Sequence, residues 1–247
     1  MSKIIIRGID FDNVTMEEAV ALAENALSEN RLISVFTPNA EIAQLAAENS
    51  EIKKLLQRSD ILLPDGAGIV LASEILKTPL KEKVAGVDFG ERVLALAAQN
   101  GYSVFFLGGK PDIAALAAQK KKSIYSDLII AGTHDGYFKK DGIENDAVIQ
   151  KINESGAQIL FVCFGAPAQE QWIDRNKSSL TSVKLIMGLG GALDVYAGVV
   201  KRAPDFFIHA RLEWFYRLIK EPRRLGRMMK LPKYILGTYR EKFSSKR

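Results

Sequence analysis

Short apolar runs without alternation constrain this chain more than any other feature. "SVFFLG" (Ser103–Gly108), "ILFVCFG" (Ile159–Gly165) and "VKLIMGLGG" (Val183–Gly191) each put apolar side chains at consecutive positions. A strand with one wet face alternates. A strand buried on both faces has no need to, and such strands belong to parallel sheets covered by helices. Helical spacing fills the gaps. "EIAQLAAENSEIKKLLQRS" (Glu41–Ser59) reads as two short helices, and "AGIVLASEIL" (Ala67–Leu76) and "GERVLALAAQN" (Gly90–Asn100) as one helix each. "PDIAALAAQKKK" (Pro111–Lys122) is a helix with Pro111 in its first turn. "ENDAVIQKINESG" (Glu144–Gly156) is a helix closed by Gly156. "LISVFTPNA" (Leu32–Ala40), "DILLPD" (Asp60–Asp65) and "DLIIAGTHDGYF" (Asp127–Phe138) supply further strands and loops. The expected fold is α/β and Rossmann-like, a mostly parallel sheet flanked by helices. No repeat or low-complexity linker interrupts it.

Charge divides the chain. Residues 201–247 carry fourteen Lys and Arg against four Asp and Glu, a net +10, whereas residues 1–200 carry 20 against 25, a net −5. The expected organisation is a catalytic body over 1–200 and a basic, amphipathic, helical C-terminal appendage over 201–247. Such an appendage favours anionic partners: phospholipid, nucleic acid or a diphosphate. The single cysteine, Cys163, fits a reducing compartment and reads as a small buried core residue. The apolar stretch in "MSKIIIRGID" is too short for a signal peptide, and no segment reaches the ~18 apolar residues of a spanning helix. The expectation is a cytoplasmic chain with peripheral contact to the inner membrane face.

Open parallel sheets bind ligands at the carboxyl ends of their strands. Those ends carry Thr37-Pro38-Asn39, Asp65-Gly66, Gly108-Gly109, Thr133-His134-Asp135-Gly136, Gly165-Ala166-Pro167 with Gln169, and Gly188-Leu189-Gly190-Gly191. Several bring backbone N–H groups to a helix start, a seat for phosphate. "GLGGA" lacks the full G-x-G-x-x-G, which disfavours a nicotinamide enzyme, and no G-x-x-x-x-G-K-S/T exists. Asp65 has two readings. As a general base it removes a proton from an attacking alcohol; as a cap it ends the helix beginning at Ala67. Spacing alone leaves both open. His134 is equally ambiguous, and His209 reads as a surface residue of the tail. "DFD" (Asp10–Asp12) has the form of a metal-binding Asp-x-Asp. The capping box "TMEE" (Thr15–Glu18) that follows places it instead on the approach to the first helix, so no metal or other cofactor is expected.

"TPNAEI", "PDGAGIVLAS", "KVAGVDF", "FLGG", "GTHDGYF", "GAPAQEQWI", "GLGGALDVYAGVVKRAP" and "LEWFYRLIKEPRRLGRM" occur in this order. Together they resemble the WecG/TagA/CpsF family of bacterial glycosyltransferases over essentially the whole chain. The resemblance implies a metal-independent, inverting transfer from a nucleotide sugar to N-acetylglucosamine on undecaprenyl diphosphate. In one branch the donor is UDP-N-acetylmannosamine, the acceptor atom is the 4-hydroxyl, and the product enters wall teichoic acid. Relatives are thought to use the mannosamine uronic acid or glucuronic acid. By the same resemblance Asp65 is the base, Thr37 and Asn39 stand beside it, and Gln169 helps to hold substrate. Arg217, Arg224 and Arg227 match tail arginines that close over the site and hold diphosphate. Gly108 and Gly109 join the substrate-binding set as a strand-end phosphate seat. Two positions depart from the pattern. Lys83 stands where the family usually has Arg, keeping the charge but losing the bidentate fork. Ala168 replaces a usual Lys.

A lipid acceptor accounts for the tail. Leu212, Phe215, Tyr216 and Ile219 fall on one helix face, and Pro222 and Pro232 divide the tail into segments. Basic residues beside aromatics and Met suit an interfacial helix, each Lys or Arg contributing on the order of 1 kcal/mol near an anionic leaflet. The bland alternative is a helix packed on the body, and it suits Leu212–Ile219 better than Met228–Tyr239. A nucleic-acid-binding module is the competing class, disfavoured by the tail's apolar content. Self-association through an exposed apolar tail is a further expectation.

Overall fold

The computed structural model describes residues 2–204, 206–207, 212–220 and 225–244. His209 and Arg224 lie outside the described residues. Arg217 and Arg227 are described by their backbone only.

Among the described residues, six parallel strands form one sheet in the order β4-β3-β8-β7-β5-β6. They are β3 (Ile33–Phe36), β4 (Ile61–Leu62), β5 (Ser103–Gly108), β6 (Ile129–His134), β7 (Ile159–Cys163) and β8 (Leu185–Gly188). The strands read as unalternating are buried on both sides. In β7, Ile159, Phe161 and Cys163 face one core, and Leu160 and Val162 face the other. In β5 the split is Val104 and Phe106 against Phe105 and Leu107. One face is covered by α1 (Met16–Ser28), α5 (Gly86–Asn100), α6 (Ile113–Ile124) and α9 (Ala192–Tyr196). The other is covered by α2 (Ala40–Glu48), α3 (Ser50–Gln57), α4 (Ala67–Ile75), α7 (Gly142–Glu154) and α8 (Ala168–Asn176). The fold is α/β and Rossmann-like.

Pro111 precedes α6 rather than opening it: Asp112 is the N-cap, and the helix begins at Ile113. The N-terminal segment holds a hairpin that the helical and strand periodicities do not announce. β1 (Lys3–Ile6) pairs antiparallel with β2 (Ile9–Asp12) through the turn residues Arg7 and Gly8, at φ of 55° and 71°. Two positive φ values in a two-residue loop match the right-handed twist of the strands. Asp10 and Asp12 therefore sit in a strand that ends three positions before the Thr15 cap. Asp12 is fully buried, and its Oδ2 accepts from the N–H of Leu62 at 2.7 Å. β4 is an edge strand, and Asp12 satisfies a donor that no further strand pairs.

The C-terminal segment contains α10 (Glu213–Lys220), α11 (Leu225–Met228) and α12 (Lys230–Ser244). α12 packs on α2 and α4, with Tyr234 and Thr238 fully buried. The hairpin turn grips it from outside: Arg7 lies over the Tyr234 ring, 5.8 Å from its centroid, and its guanidinium fills the space beside Gly237. The opposite face stays apolar and exposed. Leu236, Tyr239 and Phe243 follow at helical spacing, with Leu225 and Met229 exposed ahead of them.

Candidate active site

The carboxyl ends of β3, β4 and β8 bring together residues far apart in sequence. Asp65 leaves β4 through Leu63 and Pro64, and its N–H donates to the Pro38 carbonyl at 3.3 Å. Gly66, at φ 85°, is the N-cap of α4, and no side chain caps that helix. The capping role for Asp65 is thus not taken up. Its Oδ2 instead accepts from the N–H of Gly86 at 3.4 Å, the first residue of the fifteen-residue α5. The half-buried carboxylate stands at a helix N-terminus, where the axial dipole is positive.

Thr37 completes this corner. Its Oγ1 donates to the Gly188 carbonyl at 3.1 Å, tying β3 to β8 beyond the last ladder pair. A Cβ on Gly86 would meet Thr37 Oγ1 at 2.6 Å. Only glycine lets α5 begin close enough to Thr37 for its N–H to reach Asp65. Asn39 is the N-cap of α2, its Oδ1 accepting from Glu41 and Ile42 N–H at 2.9 and 3.3 Å. Asn39 is exposed, and its Cβ lies beside Gly66.

Gln169 is 3% exposed and is turned inward among the loops. Its Oε1 accepts from Gly165 N–H at 3.2 Å and Gly190 N–H at 2.8 Å, and its Nε2 donates to Glu170 Oε1 at 2.9 Å. The side chain straps the β7 exit to the β8 exit. Glu170 itself was not singled out by its sequence position. It is 1% exposed, and burial pushes its carboxyl up to about 7, against the lowering effect of the Gln169 hydrogen bond.

Gly108 and Gly109 serve the neighbouring strands. Gly108, at φ 135°, lies directly against the Cys163 backbone, and Gly109 N–H donates to the Cys163 carbonyl at 3.1 Å. They stand three strands from β3 in the sheet order, about 14 Å at ~4.8 Å per strand. Cys163 is buried, and desolvation pushes its thiol up to about 12, so it is an inert packing residue. His134 stacks edge-on against Phe138, with Nδ1 2.8 Å from the Asp135 carbonyl. It lines an open cleft of about 300 Å³ with Asp112, Thr133, Asp135 and Lys151, at the opposite edge of the sheet from Asp65. Lys140 is drawn over the Phe138 and Phe164 rings and donates to the Gly136 and Phe138 carbonyls, which fixes the GTHDGYF loop.

Two ion pairs bind the C-terminal segment to the start of α5. Lys83 Nζ lies 2.9 Å from Glu213 Oε2 at the head of α10. Val84, next in sequence, donates its N–H to the Pro64 carbonyl at 3.0 Å, so Lys83 adjoins the Asp65 turn. Arg202 meets Asp88 at 2.6 Å. α4 and α8 follow strand ends without side-chain caps, so their first-turn N–H groups face the carboxyl edge of the sheet. Among the described residues, no group of three His, Cys, Asp or Glu side chains is placed to hold a metal.

A model described as "Glycosyl transferase WecG/TagA/CpsF family" matches residues 4–247. The chain belongs to this family. The relatives it resembles include the N-acetylglucosaminyldiphosphoundecaprenol N-acetyl-beta-D-mannosaminyltransferases of three bacteria. That of Bacillus spizizenii is 35% identical over 97% of this chain and 92% of its own length. That of Bacillus subtilis is 34% identical over 98% and 93%, and that of Staphylococcus aureus is 32% identical over 94% and 90%. As a family member the chain is a glycosyltransferase, and the strand-end constellation around Asp65 is its candidate active site.

Proposed function

We propose that the chain transfers N-acetylmannosamine from its UDP derivative to the 4-hydroxyl of N-acetylglucosamine on diphosphoundecaprenol, with inversion, in building the wall teichoic acid linkage unit. The relatives' names support the sugar and the acceptor. The observation that carries the chemistry is the placement of Asp65 at the mouth of the β3–β4–β8 corner, oriented by Gly86 and walled by Thr37.

Asp65 acts as general base. Its carboxylate takes the proton of the acceptor hydroxyl as that oxygen attacks the anomeric carbon. The bond from that carbon to the diphosphate oxygen breaks, and UDP departs with the electron pair. Thr37 holds β3 against β8 so that the base keeps its distance to substrate. Asn39 presents the exposed part of its amide to the acceptor side. The glycine exits of β5 and β7, with Gly108 and Gly109, lie along the row from Asp65 at a separation suited to an extended nucleoside diphosphate. Negative charge developing on the leaving diphosphate is met by the uncapped helix starts, Lys83 and the tail arginines Arg217, Arg224 and Arg227.

The 201–247 segment docks on the membrane. No helix among the described residues is long and apolar enough to cross a membrane. α12 nonetheless carries a second apolar face (Leu236, Tyr239, Phe243) with Lys230, Lys233, Arg240 and Lys242 around it. Such a helix lies in the interface with its lysine and arginine heads toward phosphate. The same face supports self-association in the absence of lipid. Lys83–Glu213 and Arg202–Asp88 connect that segment to the base, so docking and site completion are linked. Incubation with UDP-N-acetylmannosamine, its uronic acid and UDP-glucuronic acid, each with an N-acetylglucosamine-diphospholipid, tests the assignment by product mass. Product from the first donor alone is expected.

A further inference from the structure

We propose that Glu170 is a positioning residue for the transfer reaction, acting through Gln169. The argument rests on the reading of the strand ends around Asp65 as the transfer site. Gln169 is the strap between two exits of the sheet: one carbonyl oxygen accepts from both Gly165 and Gly190. That arrangement requires the amide to face one way. A carboxamide turned by half a rotation would point its NH₂ at two N–H donors and lose both bonds. Glu170 decides the direction. Its Oε1 accepts from Gln169 Nε2 at 2.9 Å, giving the amide donor a partner on the side away from the glycines.

The strap bears on the corner that holds the base. Gln169 Nε2 lies 3.0 Å from where a Cβ on Gly188 would stand, and the Gly188 carbonyl receives the Thr37 hydroxyl. Displacement of the β8 exit therefore moves Thr37, and with it the wall against which α5 and Gly86 orient Asp65. Glu170 has no structural need to be acidic. It is 1% exposed, and its Oε2 has no hydrogen-bond partner. An apolar residue of similar volume would pack there at lower desolvation penalty. A buried carboxyl whose only side-chain hydrogen bond among the described residues is to Gln169, which joins the β7 and β8 exits, is accounted for by what it does to that side chain.

The test compares Glu170→Leu, Glu170→Met and Glu170→Gln with the unaltered chain, by backbone amide exchange and by turnover. Leu and Met remove the acceptor, and exchange at Gly165 and Gly190 is expected to accelerate about tenfold in whichever of the two folds. Turnover number is expected to fall about tenfold with KM nearly constant, as for a displaced catalytic geometry. Glu170→Gln keeps an acceptor oxygen and is expected to preserve slow exchange and most turnover. In a Gln169→Leu background the Glu170 change is expected to add no further loss. Unaltered exchange in the Leu and Met variants, or a full additional loss in the double variant, overturns the proposal. If the unaltered chain transfers no sugar while the exchange results follow this pattern, the strap stands and the transferase reading of the site falls.

Discussion

Lys83 and Glu213 lie 130 positions apart in sequence, and their charged ends meet at 2.9 Å beside the turn that carries Asp65. The pair is about three-tenths exposed or less on each side, so its direct contribution to stability is under about 1 kcal/mol. Its consequence lies in where it puts α10. Glu213→Ala is expected to leave the melting temperature nearly unchanged and to lower turnover on the lipid-linked acceptor several-fold. Thermal melts and initial rates on the same preparation check this. Full turnover in the variant would detach the pair from the reaction.

Gly86 has a sharper expectation. A methyl group there would collide with Thr37 Oγ1 and lift the α5 N-terminus from Asp65. Gly86→Ala is expected to destabilise by about 1–3 kcal/mol, the usual range for overpacking. The loss of turnover is expected to exceed what the folded fraction explains. Urea unfolding with parallel rate measurement separates the two effects.

Asp12 predicts a link between the hairpin and the site. Asp12→Ala leaves the Leu62 N–H without its acceptor, costing about 1–3 kcal/mol. Asp12→Asn keeps an oxygen in place and is expected to lose less than the alanine variant. Equal losses in urea unfolding would show that the acceptor is immaterial.

Much of this architecture was legible in the chain. The unalternating runs of β5, β7 and β8 announced burial on both faces, and the Pro-Asp-Gly exit of β4 announced an acid at a strand end. The hairpin was not legible. "IIIRGIDFD" mixes a continuous apolar run with an alternating one, and the two-residue Arg-Gly turn was its only local signal. Glu170 was missed because acids in the first helical turn ordinarily face water. Its burial follows from the tertiary placement of α8 over β7 and β8. The Lys83–Glu213 contact depends on the path of the whole C-terminal segment, which no local pattern encodes. Arg217 and Arg227 were placed by motif, and their backbones fall in α10 and α11.

Glu170 also sets a pH dependence whose sign is fixed. Its carboxyl moves from an ordinary 4.5 to about 7 on folding, so the native state holds the proton more tightly than the unfolded chain. Stability from this group is greatest at low pH and declines as pH rises from the unfolded toward the folded value. The full decline is about 3 kcal/mol at 1.36 kcal/mol per pH unit. Unfolding free energies of the unaltered chain minus those of Glu170→Gln are expected to fall between pH 4.5 and 7.5. A flat difference would mean that the carboxyl is not held neutral by its surroundings.

The exposed face of α12 predicts separable membrane binding. Replacing Leu236 and Phe243 with Gln is expected to weaken binding to anionic vesicles severalfold while Tyr234 keeps the helix on the body. Sedimentation with vesicles, beside a melt, checks both halves. Binding that persists unchanged would place the contact elsewhere.

The most direct test is turnover of Asp65→Asn with UDP-N-acetylmannosamine and the N-acetylglucosamine-diphospholipid. Asparagine keeps the shape and an acceptor for Gly86 but cannot take a proton. A loss of about 10²–10⁴-fold with an unchanged melt is predicted for removal of a general base. Turnover near that of the unaltered chain would contradict the account.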